Sequence, residues 1–346
     1  MTSEIVAIDG SRGEGGGQIL RTSLALAAIT GRPFRIANIR ARRRNPGLAA
    51  QHLAAIEAAR ALSGAAVEGA RHGSTGLLFR PSPLRGGTFQ VAVGTAGAVT
   101  LVLETAITIA LFAPAPVTIT VTGGTDVPWS PTVAYLEGVF LAHLARLGAR
   151  VRLHIERRGV YPKGGGEVRA AIGPWRPPPP NPVELRAQGG PAHLEVTSMA
   201  DATLAHARAA ERQLDGFAAA ADPAWGAPTP HVVYAPMRNP GTSLSARLVT
   251  DTTILGASAL GERGKRAEIV GREAADLLYA EWAGGAAVDR WMADQITPFL
   301  GLLGGAVHTS AITSHAETSI RIVERFLPVH FSIHGKTIAA RRGGDP

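Results

Sequence analysis

The stretch Arg158-Gly-Val-Tyr-Pro-Lys-Gly-Gly-Gly-Glu-Val168 carries the strongest local signal in the chain. Its three consecutive glycines lack Cβ atoms, so the backbone can adopt positive φ and approach another surface closely. Tyr161-Pro162 restricts the chain before them, and residues 167–172 alternate as a β-strand does. A second glycine tract with a carboxylate, Gly13-Glu-Gly-Gly-Gly-Gln18, lies near the N-terminus. A glycine-rich hairpin is the simpler interpretation of one tract, whereas the pair indicates one architecture used more than once.

Length and composition suit a globular protein with several domains. A chain of 346 residues suggests roughly two to four domains, and a hydrophobic content of 45% is typical of folded proteins. The absence of cysteine excludes disulfides and thiolate metal sites. The longest apolar run, residues 96–117, contains Glu104, Pro114 and Pro116, which favours a buried helix over a membrane span. Since no signal peptide precedes the first predicted strand, we expect a cytoplasmic protein.

The formal net charge of +8 is concentrated towards the N-terminal end. Residues 1–80 contain eleven arginines and five acidic residues, and 32 of the 35 basic residues in the chain are arginine. Arginine presents a planar fork of donors that suits phosphate oxygens. A coding bias would explain the shortage of lysine equally well, but the cluster at residues 40–44 favours a polyanionic partner. Alternation along a strand would place Arg40, Arg42 and Arg44 on one side, and a solvated basic edge is the alternative.

The predicted secondary structure follows one order more than once. Residues 4–81 predict a strand, a glycine loop, a helix at 18–30, a strand, a helix at 48–62 and two strands. Residues 87–172 predict the same order, with helices at 98–113 and 132–147. A proline-rich spacer at 175–182 precedes a segment with a different pattern, which includes an alanine-rich helix at 202–221. The remaining chain resembles a third copy, interrupted by an inserted domain.

The loop at residues 13–17 is a candidate anion site. It lies between a predicted strand and a predicted helix, where free backbone N–H groups and the helix dipole attract anions. The loop lacks the third glycine of a dinucleotide-binding fingerprint. Glu14 would repel a phosphate unless a bound Mg²⁺ lay between them. A solvent-exposed loop glutamate is the alternative interpretation.

His315 is the histidine with the most informative context. Ser314-His-Ala-Glu317 predicts a capping box with Ser314 as N-cap, which would place His315 in the first turn of a helix. The helix dipole there disfavours the imidazolium form and favours a nearby phosphate. A neutral imidazole facing a polyphosphate is a nucleophile for phosphoryl or nucleotidyl transfer. An exposed histidine at a helix start remains the alternative.

Motifs along nearly the whole chain resemble those of the RNA 3′-terminal phosphate cyclases. The most specific is Arg158-Gly-x-x-Pro162-x-Gly164-Gly165-Gly166-x-Val168. The others are Gly13-Glu-Gly-Gly-Gly-Gln-Ile-Leu-Arg21, Arg40 with Arg43-x-x-Pro46-Gly47-Leu48, Gln51-His52-Leu53, Gly123-Gly124-Thr125-Asp126, Asp294-Gln295, and His315-x-x-Thr318 followed by Val323-Glu-Arg-Phe-Leu-Pro328. The resemblance implies an α/β (α+β) fold with three βαβαββ-type repeats, similar to the C-terminal domain of translation initiation factor three, and one inserted small α/β domain. The predicted bounds are 1–84, 85–175 and 176–186 with 271–340 for the repeats, and 187–270 for the insertion.

The resemblance also implies an activity. It is the ATP-dependent conversion of an RNA 3′-terminal phosphate into a 2′,3′-cyclic phosphate, through a covalent histidyl-AMP and an RNA-adenylate intermediate. By resemblance, His315 is the nucleophile, and Glu14 binds a divalent metal, Mg²⁺ or Mn²⁺, on the triphosphate. The implied nucleotide-binding residues are Glu14, Arg21, Pro131, Trp291, Asp294 and Gln295, and the implied phosphate- and RNA-binding residues are Arg40, Arg43 and Gln51.

Two residues depart from the family's pattern. Trp291 stands where the family has another aromatic residue or a histidine, and its ring can still stack on adenine. Glu104 stands where a glutamine is expected in the helix of the second repeat. An ionised glutamate is only an acceptor, so its contact with a nucleotide is in doubt.

Two other kinds of protein share parts of this pattern. One is a non-catalytic, cyclase-like RNA-binding factor of ribosome assembly, which would lack the nucleophile. The other is an enolpyruvyl transferase, which is built from similar repeats without adenylation. His315 in its motif and the 158–168 signature favour the enzyme over both. The expected partners are therefore ATP and RNA with a 3′-terminal phosphate, without a membrane, and the oligomeric state is not predicted.

Overall fold

Four four-stranded sheets, each with parallel and antiparallel neighbours, form the framework of the computed structural model. The structure describes residues 4–176 and 182–343. Residues 177–181, the centre of the predicted proline-rich spacer, lie outside the described residues. The mixed sheets and intervening helices agree with the predicted α+β class.

The first sheet is built by the N-terminal part of the chain. Its elements are β1 (Val6–Asp9), α1 (Gly17–Thr30), β2 (Phe34–Ala37), α2 (Ala50–Ser63), β3 (Ala66–Glu68) and β4 (Leu77–Arg80). The strands lie in the order β1-β2-β4-β3, with β1 and β2 parallel and the other pairs antiparallel. Helix α1 ends at Gly31, whose left-handed φ of 70° suits a glycine and agrees with the predicted helix stop.

The second sheet repeats this arrangement. Its elements are β5 (Gly87–Ala92), α3 (Val99–Ala110), β6 (Val117–Gly123), α4 (Val133–Tyr135), a π-helical turn (Leu136–Leu141), α5 (Ala142–Arg146), β7 (Val151–Arg157) and β8 (Gly166–Ile172). The order is β5-β6-β8-β7, with β5 and β6 parallel and the other pairs antiparallel. The helix predicted at 132–147 is therefore interrupted by the π-helical turn. No helix within residues 4–176 and 182–343, including apolar α3, is long and apolar enough to cross a membrane.

The third sheet has a different order, β11-β10-β12-β13. After the short strand β9 (Val183–Leu185) come β10 (Pro191–Asp201), a 3₁₀ turn (Ala202–Ala207), α6 (Ala209–Ala218), a 3₁₀ turn (Pro223–Trp225), β11 (Thr229–Ala235), β12 (Thr242–Thr250), β13 (Ile254–Leu260) and α7 (Ala267–Ala283). The helix predicted at 202–221 is broken at Arg208, whose φ of 52° is left-handed. Buried residues of α7, such as Ala274 and Leu278, share a core with Leu244 and Leu255 of this sheet, so α7 spans the predicted boundary at 270.

The fourth sheet combines β9 with the C-terminal elements. These are α8 (Arg290–Leu303), β14 (Gly305–His308), α9 (Ser314–Phe326), β15 (Val329–His334) and β16 (Thr337–Arg342). Strand β9 is parallel to β14, β16 is antiparallel to both of its neighbours, and the order is β9-β14-β16-β15. The first, second and fourth sheets thus have the same order and the same strand directions.

One hydrophobic core joins the helices of these three similar sheets. Helix α1 contacts α2, α3 and α9, and α8 contacts α9. Residues such as Leu24, Val102, Phe299 and Val323 are fully buried in this core. Since burial of such side chains contributes on the order of 2 kcal/mol each, the core fixes the relative positions of the helices. The N-terminal ends of α1, α8 and α9 contribute to one cavity.

Candidate active site

A cavity of about 750 Å³ lies where these helix ends meet. All ten site residues predicted from the sequence line it, namely Glu14, Arg21, Arg40, Arg43, Gln51, Pro131, Trp291, Asp294, Gln295 and His315. They come from segments of the chain up to 301 positions apart in sequence, as from Glu14 to His315. The structure therefore brings the predicted residues together, while the role of each stays a prediction.

His315 lies between two carboxylates in the first turn of α9. Its Nε2 atom is 3.9 Å from Oε2 of Glu14, and its Nδ1 atom is 3.8 Å from Oδ2 of Asp294. Partial burial, together with the positive charges of Arg21 and Arg43, lowers the pKa of His315 despite the opposing effect of Glu14. The imidazole is therefore neutral at neutral pH, with its free electron pair available.

The predicted capping box at this helix is wrong. The N-cap is Thr313, whose side-chain oxygen accepts a hydrogen bond of 3.0 Å from the N–H of Ala316. Thr313 has an extended backbone, φ −88° and ψ 158°, so the helix begins at Ser314. A threonine caps a helix as a serine does, and both lie beside each other in the sequence. His315 keeps its predicted place in the first turn.

The glycine loop at residues 13–17 holds Glu14 against α9. Gly13 has a left-handed φ of 63°, and a Cβ atom there would collide with the side chain of Thr318. The hydroxyl of Thr318 accepts a 3.2 Å hydrogen bond from the N–H of Glu14. Gly16, the N-cap of α1, offers no side-chain cap, so the first N–H groups of α1 can serve an anion in the cavity.

Three buried polar atoms around the cavity have no hydrogen-bond partner among the described residues. They are Oε1 of Glu14, Nε of Arg21 and Oε1 of Gln295. An unpaired buried polar atom costs about 1–3 kcal/mol, so such atoms are rare unless a ligand supplies the partner. Their presence in one cavity indicates a polar ligand.

Glu14 also decides whether the cavity suits a divalent metal. Its Oε2 atom pairs with Arg43, whereas Oε1 is buried and free of protein partners. Within residues 4–176 and 182–343, no group of three or more histidine, cysteine or carboxylate side chains could hold a metal. Mg²⁺ is commonly held by one or two carboxylates together with substrate phosphates and water. The single free carboxylate oxygen therefore fits a metal that arrives with a phosphorylated ligand.

Arg21 is surrounded by three acidic groups. Its guanidinium donates a 3.0 Å hydrogen bond to Oε1 of Gln18, and its charge acts on Glu104, Asp294 and Glu14. Burial raises the pKa of Glu104 to about 7 although Arg21 opposes this. Burial and the nearby Glu104 charge raise the pKa of Asp294 well above its usual value, again against Arg21. Burial therefore favours the uncharged form of each acid, which weakens its pairing with Arg21.

The prediction that Arg40, Arg42 and Arg44 share one side of a strand is wrong. Strand β2 ends at Ala37, and Arg40 has a left-handed φ of 55° within a turn. One guanidinium nitrogen of Arg40 donates a 2.9 Å hydrogen bond to the carbonyl oxygen of Gly47, and Arg43 pairs with Glu14. The turn, rather than strand alternation, directs Arg40 and Arg43 into the cavity.

The opposite wall of the cavity is formed by the start of α8. Asp289 caps this helix, because its Oδ1 accepts hydrogen bonds from the N–H groups of Trp291 and Met292 at 3.1 and 2.9 Å. Trp291 is about one-third exposed, at 37%, and the guanidinium of Arg290 lies 5.7 Å from its ring centroid. An aromatic face beside Asp294 and Gln295 can bind a flat heterocycle through stacking and hydrogen bonds.

Several lining residues were not predicted as site residues. His52 accepts a 3.0 Å hydrogen bond from the N–H of Ala49 on Nδ1, so its neutral ring carries the proton on Nε2. Burial, helped by Arg21, lowers the pKa of His52 to about 3. The Gln51-His52-Leu53 motif in the sequence could have identified His52 as a site residue. Ser258 and Leu260 of the third sheet also line the cavity, but no local pattern links them to it.

The glycine-rich signature at 158–168 does not line the cavity. Arg158 instead donates a 3.3 Å hydrogen bond to Oδ2 of Asp126, whose Oδ1 accepts 3.3 Å from the hydroxyl of Ser243. Beside this pair, the N–H and the hydroxyl of Thr125 both donate hydrogen bonds to the carbonyl oxygen of Gly159. The N–H of Gly159 donates a hydrogen bond to the hydroxyl oxygen of Thr125. The signature thus joins the loop after β6 to β12 of the third sheet through hydrogen bonds.

Comparison with known proteins agrees with this architecture. The family model described as RNA 3′-terminal phosphate cyclase matches residues 12–333. The RNA 3′-terminal phosphate cyclase of Pyrobaculum neutrophilum is 44% identical over 341 residues, covering 95% of this chain and 94% of that protein. Its namesake from Pyrococcus abyssi is also 44% identical, over 335 residues, covering 96% of both chains.

A solved structure gives only a weak match. The enolpyruvyl transferase NikO from Streptomyces tendae is 11% identical with a TM-score of 0.28, covering 98% of this chain and 66% of that chain. A TM-score this low does not indicate a shared fold. The family model and the relatives cover nearly all of the sequence and include the segments that form the cavity. The chain therefore belongs to the RNA 3′-terminal phosphate cyclase family.

Proposed function

We propose that this ligase-class enzyme uses ATP to convert an RNA 3′-terminal phosphate into a 2′,3′-cyclic phosphate, with His315 as the adenylylated nucleophile. The observation that carries this proposal is the position of a neutral imidazole between Glu14 and Asp294, in a cavity with several arginines. The relatives from Pyrobaculum neutrophilum and Pyrococcus abyssi are RNA 3′-terminal phosphate cyclases by name, which supports this activity. Nucleotidyl transfer needs such a combination of a nucleophile and positive charge more than it needs acid–base groups.

In the first step, a ring nitrogen of His315 attacks the α-phosphorus of ATP. A P–N bond forms, the bond from the α-phosphorus to the bridging oxygen breaks, and pyrophosphate leaves. Arg21 has a buried, unpaired Nε–H with which it can bind the triphosphate. The free N–H groups at the start of α1 and the Nε2–H of His52 are further donors towards the same space. These donors would stabilise the charge that accumulates on the leaving group.

The next two steps act on the RNA end. An oxygen of the 3′-phosphate attacks the AMP phosphorus, which breaks the P–N bond and returns a free histidine. The 2′-hydroxyl oxygen then attacks the activated 3′-phosphorus, AMP leaves, and the hydroxyl proton passes to solvent or to a nearby base. Arg40, Arg43 and Gln51 line the cavity where the RNA phosphate must approach His315. Their role would be to hold that phosphate against the electrostatic repulsion of the nucleotide.

A divalent cation, Mg²⁺ or Mn²⁺, fits beside Glu14. The unpaired Oε1 atom would be its protein ligand, with phosphate oxygens and water as the others. Such a cation supplies charge neutralisation on the triphosphate. Arg43 pairs with the other oxygen of Glu14 and so keeps the carboxylate oriented.

The adenine would occupy the wall built by Pro131, Trp291, Asp294 and Gln295. Gln295 has a buried Oε1 without a partner, which can accept a hydrogen bond from an amino group. Glu104 lines the same cavity, and its pKa, raised by burial to about 7, lets it donate a hydrogen bond in its protonated form. A protonated carboxyl resembles the amide expected at this position, so we infer that Glu104 can serve it near neutral pH.

We also infer that the fold consists of three related repeats and one inserted domain. The first, second and fourth sheets share strand order and direction, and the third sheet, with its different order, lies between β9 and β14 in the sequence. A common order in three sheets supports descent from one βαβαββ unit. No observation favours the non-catalytic scaffold over the enzyme.

The test is covalent labelling with ATP carrying a labelled α-phosphate and Mg²⁺ or Mn²⁺. We expect the wild type to retain label with the acid lability and alkali stability of a P–N bond, and to cyclise an oligonucleotide with a 3′-phosphate. His315→Ala should abolish both activities. The matched control is His330→Ala, since His330 is exposed, pairs with Glu324 at 3.6 Å and does not line the cavity. Equal labelling of His315→Ala and wild type would refute the assignment.

A further inference from the structure

Trp129 is the most exposed large hydrophobic side chain among the described residues. Its relative exposure is 98%, compared with 4% for Trp225 and 5% for Trp175. An indole in water gives up the favourable burial that its large apolar surface provides elsewhere. Single exposed apolar residues are common on protein surfaces, but Trp129 differs from them in its backbone conformation and its surroundings.

The backbone at Trp129 is held in an unfavourable conformation. Its φ of 61° is left-handed, a region that bulky residues rarely occupy because the Cβ atom approaches the carbonyl oxygen. The hydroxyl of Ser130 donates a 2.9 Å hydrogen bond to the carbonyl of Val127, and Thr100 donates 2.9 Å to the carbonyl of Pro131. Local strain persists only where the surroundings enforce it, and it is concentrated at functional sites. These hydrogen bonds hold the residues on both sides of Trp129, and the indole itself faces solvent.

The position of this indole is the decisive observation. Trp129 lines the cavity of His315 together with Arg40 and Arg43, yet almost none of its surface is covered by protein. A ligand enclosed in the cavity would be contacted by partly covered side chains such as Trp291. A polymer that passes from the cavity to the surrounding surface can cover this exposed indole. Phosphate-binding arginines beside an exposed aromatic ring are the combination that binds single-stranded nucleic acid.

We propose that Trp129 stacks on the nucleobase at or next to the RNA 3′ end and thereby places the terminal phosphate towards His315. This inference rests on the proposed cyclase function and adds the recognition of the base. Stacking tolerates every base, because each has a flat π face, so the contact would let one enzyme accept ends of any sequence. ATP also contains a base, so the experiment must separate the two sources of a nucleobase.

The test compares Trp129→Ala, Trp129→Phe and Trp291→Ala with wild type in two assays. The first is equilibrium binding of a fluorescent oligonucleotide with a 3′-phosphate, and the second is self-adenylylation with ATP alone. We expect Trp129→Ala to weaken oligonucleotide binding at least about fivefold, with most of the loss restored in Trp129→Phe. Self-adenylylation should be retained by Trp129→Ala and impaired in Trp291→Ala.

Two abasic oligonucleotides show whether Trp129 contacts a base. One lacks the base of the 3′-terminal nucleotide, and the other lacks the base of the nucleotide before it. Wild type should bind one of these abasic forms more weakly, and Trp129→Ala should show no such penalty. The proposal is overturned if Trp129→Ala binds the normal oligonucleotide as well as wild type, or if the abasic penalty persists in the variant. It is also overturned if self-adenylylation falls in parallel with RNA binding, since the indole would then serve ATP. A wild type that binds the oligonucleotide but neither labels nor cyclises would contradict the proposed function alone.

Discussion

The hydroxyl of Tyr135 donates a 2.6 Å hydrogen bond to Oδ1 of Asp289, which lies 154 positions further along the chain. The other oxygen of Asp289 accepts a 3.0 Å hydrogen bond from the N–H of Gly256 in β13. The same carboxylate caps α8, so one buried side chain joins α4, the third sheet and the helix that carries Trp291 and Asp294. The wall of the cavity is therefore positioned by Asp289, a residue that does not itself line the cavity but contacts Tyr135, which does.

Tyr135→Phe should weaken ATP binding without removing the chemistry. The substitution deletes one donor to Asp289, whose pKa is raised by burial to about 6 and held down by that hydrogen bond. We expect the free energy of unfolding to fall by about 1–2 kcal/mol, the cost of a lost hydrogen bond to a buried group. The KM for ATP should rise several-fold with little change in kcat. Tyr279→Phe, at a half-exposed tyrosine of α7, is the matched control, and an unchanged KM and stability in Tyr135→Phe would contradict this role.

Glu104→Gln should change how stability depends on pH. Because burial raises the pKa of Glu104 to about 7, the native state binds a proton more tightly than the unfolded state does. Proton binding to Glu104 therefore stabilises the folded wild type at acidic pH, and this stabilisation is lost as the pH rises from about 4.5 to 7. The amide does not titrate, so the variant should gain stability relative to wild type over this range, by up to about 3 kcal/mol. Denaturant unfolding at pH 5 and pH 8 measures the difference in free energy of unfolding between the variant and wild type. The same difference at both pH values would show that Glu104 does not titrate between them.

Glu14→Gln should raise the concentration of Mn²⁺ or Mg²⁺ needed for self-adenylylation. The amide removes the charge of the free oxygen in the cavity and of the oxygen that pairs with Arg43. Hard divalent cations prefer carboxylate oxygens, so we expect the half-maximal metal concentration to rise about tenfold or more. Chelation of the metal should stop labelling of the wild type. The control is Glu57→Gln at an exposed helix pair with Arg60, and the same metal dependence in Glu14→Gln and wild type would contradict the predicted ligand.

Arg158→Met and Arg157→Met form a matched pair on neighbouring residues. Arg158 is paired with the buried carboxylate of Asp126, and only 10% and 1% of their side chains are exposed. Its loss leaves a buried charge, which typically costs about 3–5 kcal/mol. Arg157 pairs with Glu167 on the surface, where such pairs contribute less than about 1 kcal/mol. Thermal unfolding should show a large decrease only for Arg158→Met, and its folded fraction should still self-adenylylate because the residue lies outside the cavity. Equal melting temperatures for the two variants would contradict the stabilising role of the Arg158–Asp126 pair.

The sequence predicts chemistry well where it depends on residue types in a local pattern. The local pattern indicates His315 at a helix start, Glu14 in a glycine loop and the arginine cluster at 40–44. The structure places His315, Glu14, Arg40 and Arg43 around one cavity. Errors arose where backbone turns compete with simple periodicity. The left-handed residues Asn38 and Arg40 end the strand that alternation would have extended, and Thr313 caps α9 instead of its neighbour.

Contacts between distant parts of the chain could not be predicted in the same way. Ser258 and Leu260 reach the cavity because β13 packs against α4 and its Gly256 contacts Asp289, the cap of α8. Neither residue has an informative neighbourhood in the sequence. Asp289 would look like an ordinary helix cap without Tyr135 and Gly256. The exposure of Trp129 is likewise a property of the folded surface, since a hydrophobic residue in a sequence is normally expected to be buried.

By itself, the amino-acid sequence determined the fold class, the family resemblance and the chemical groups available for catalysis, since these depend on residue type and spacing. Only the tertiary structure decided that the glycine-rich signature lies outside the cavity, where Arg158 pairs with Asp126, and that a buried Asp289 positions the helix of the cavity wall. The reason is physical. Burial, pKa shifts and unpaired polar atoms are produced by neighbours that lie far away in sequence and become adjacent only when the core forms.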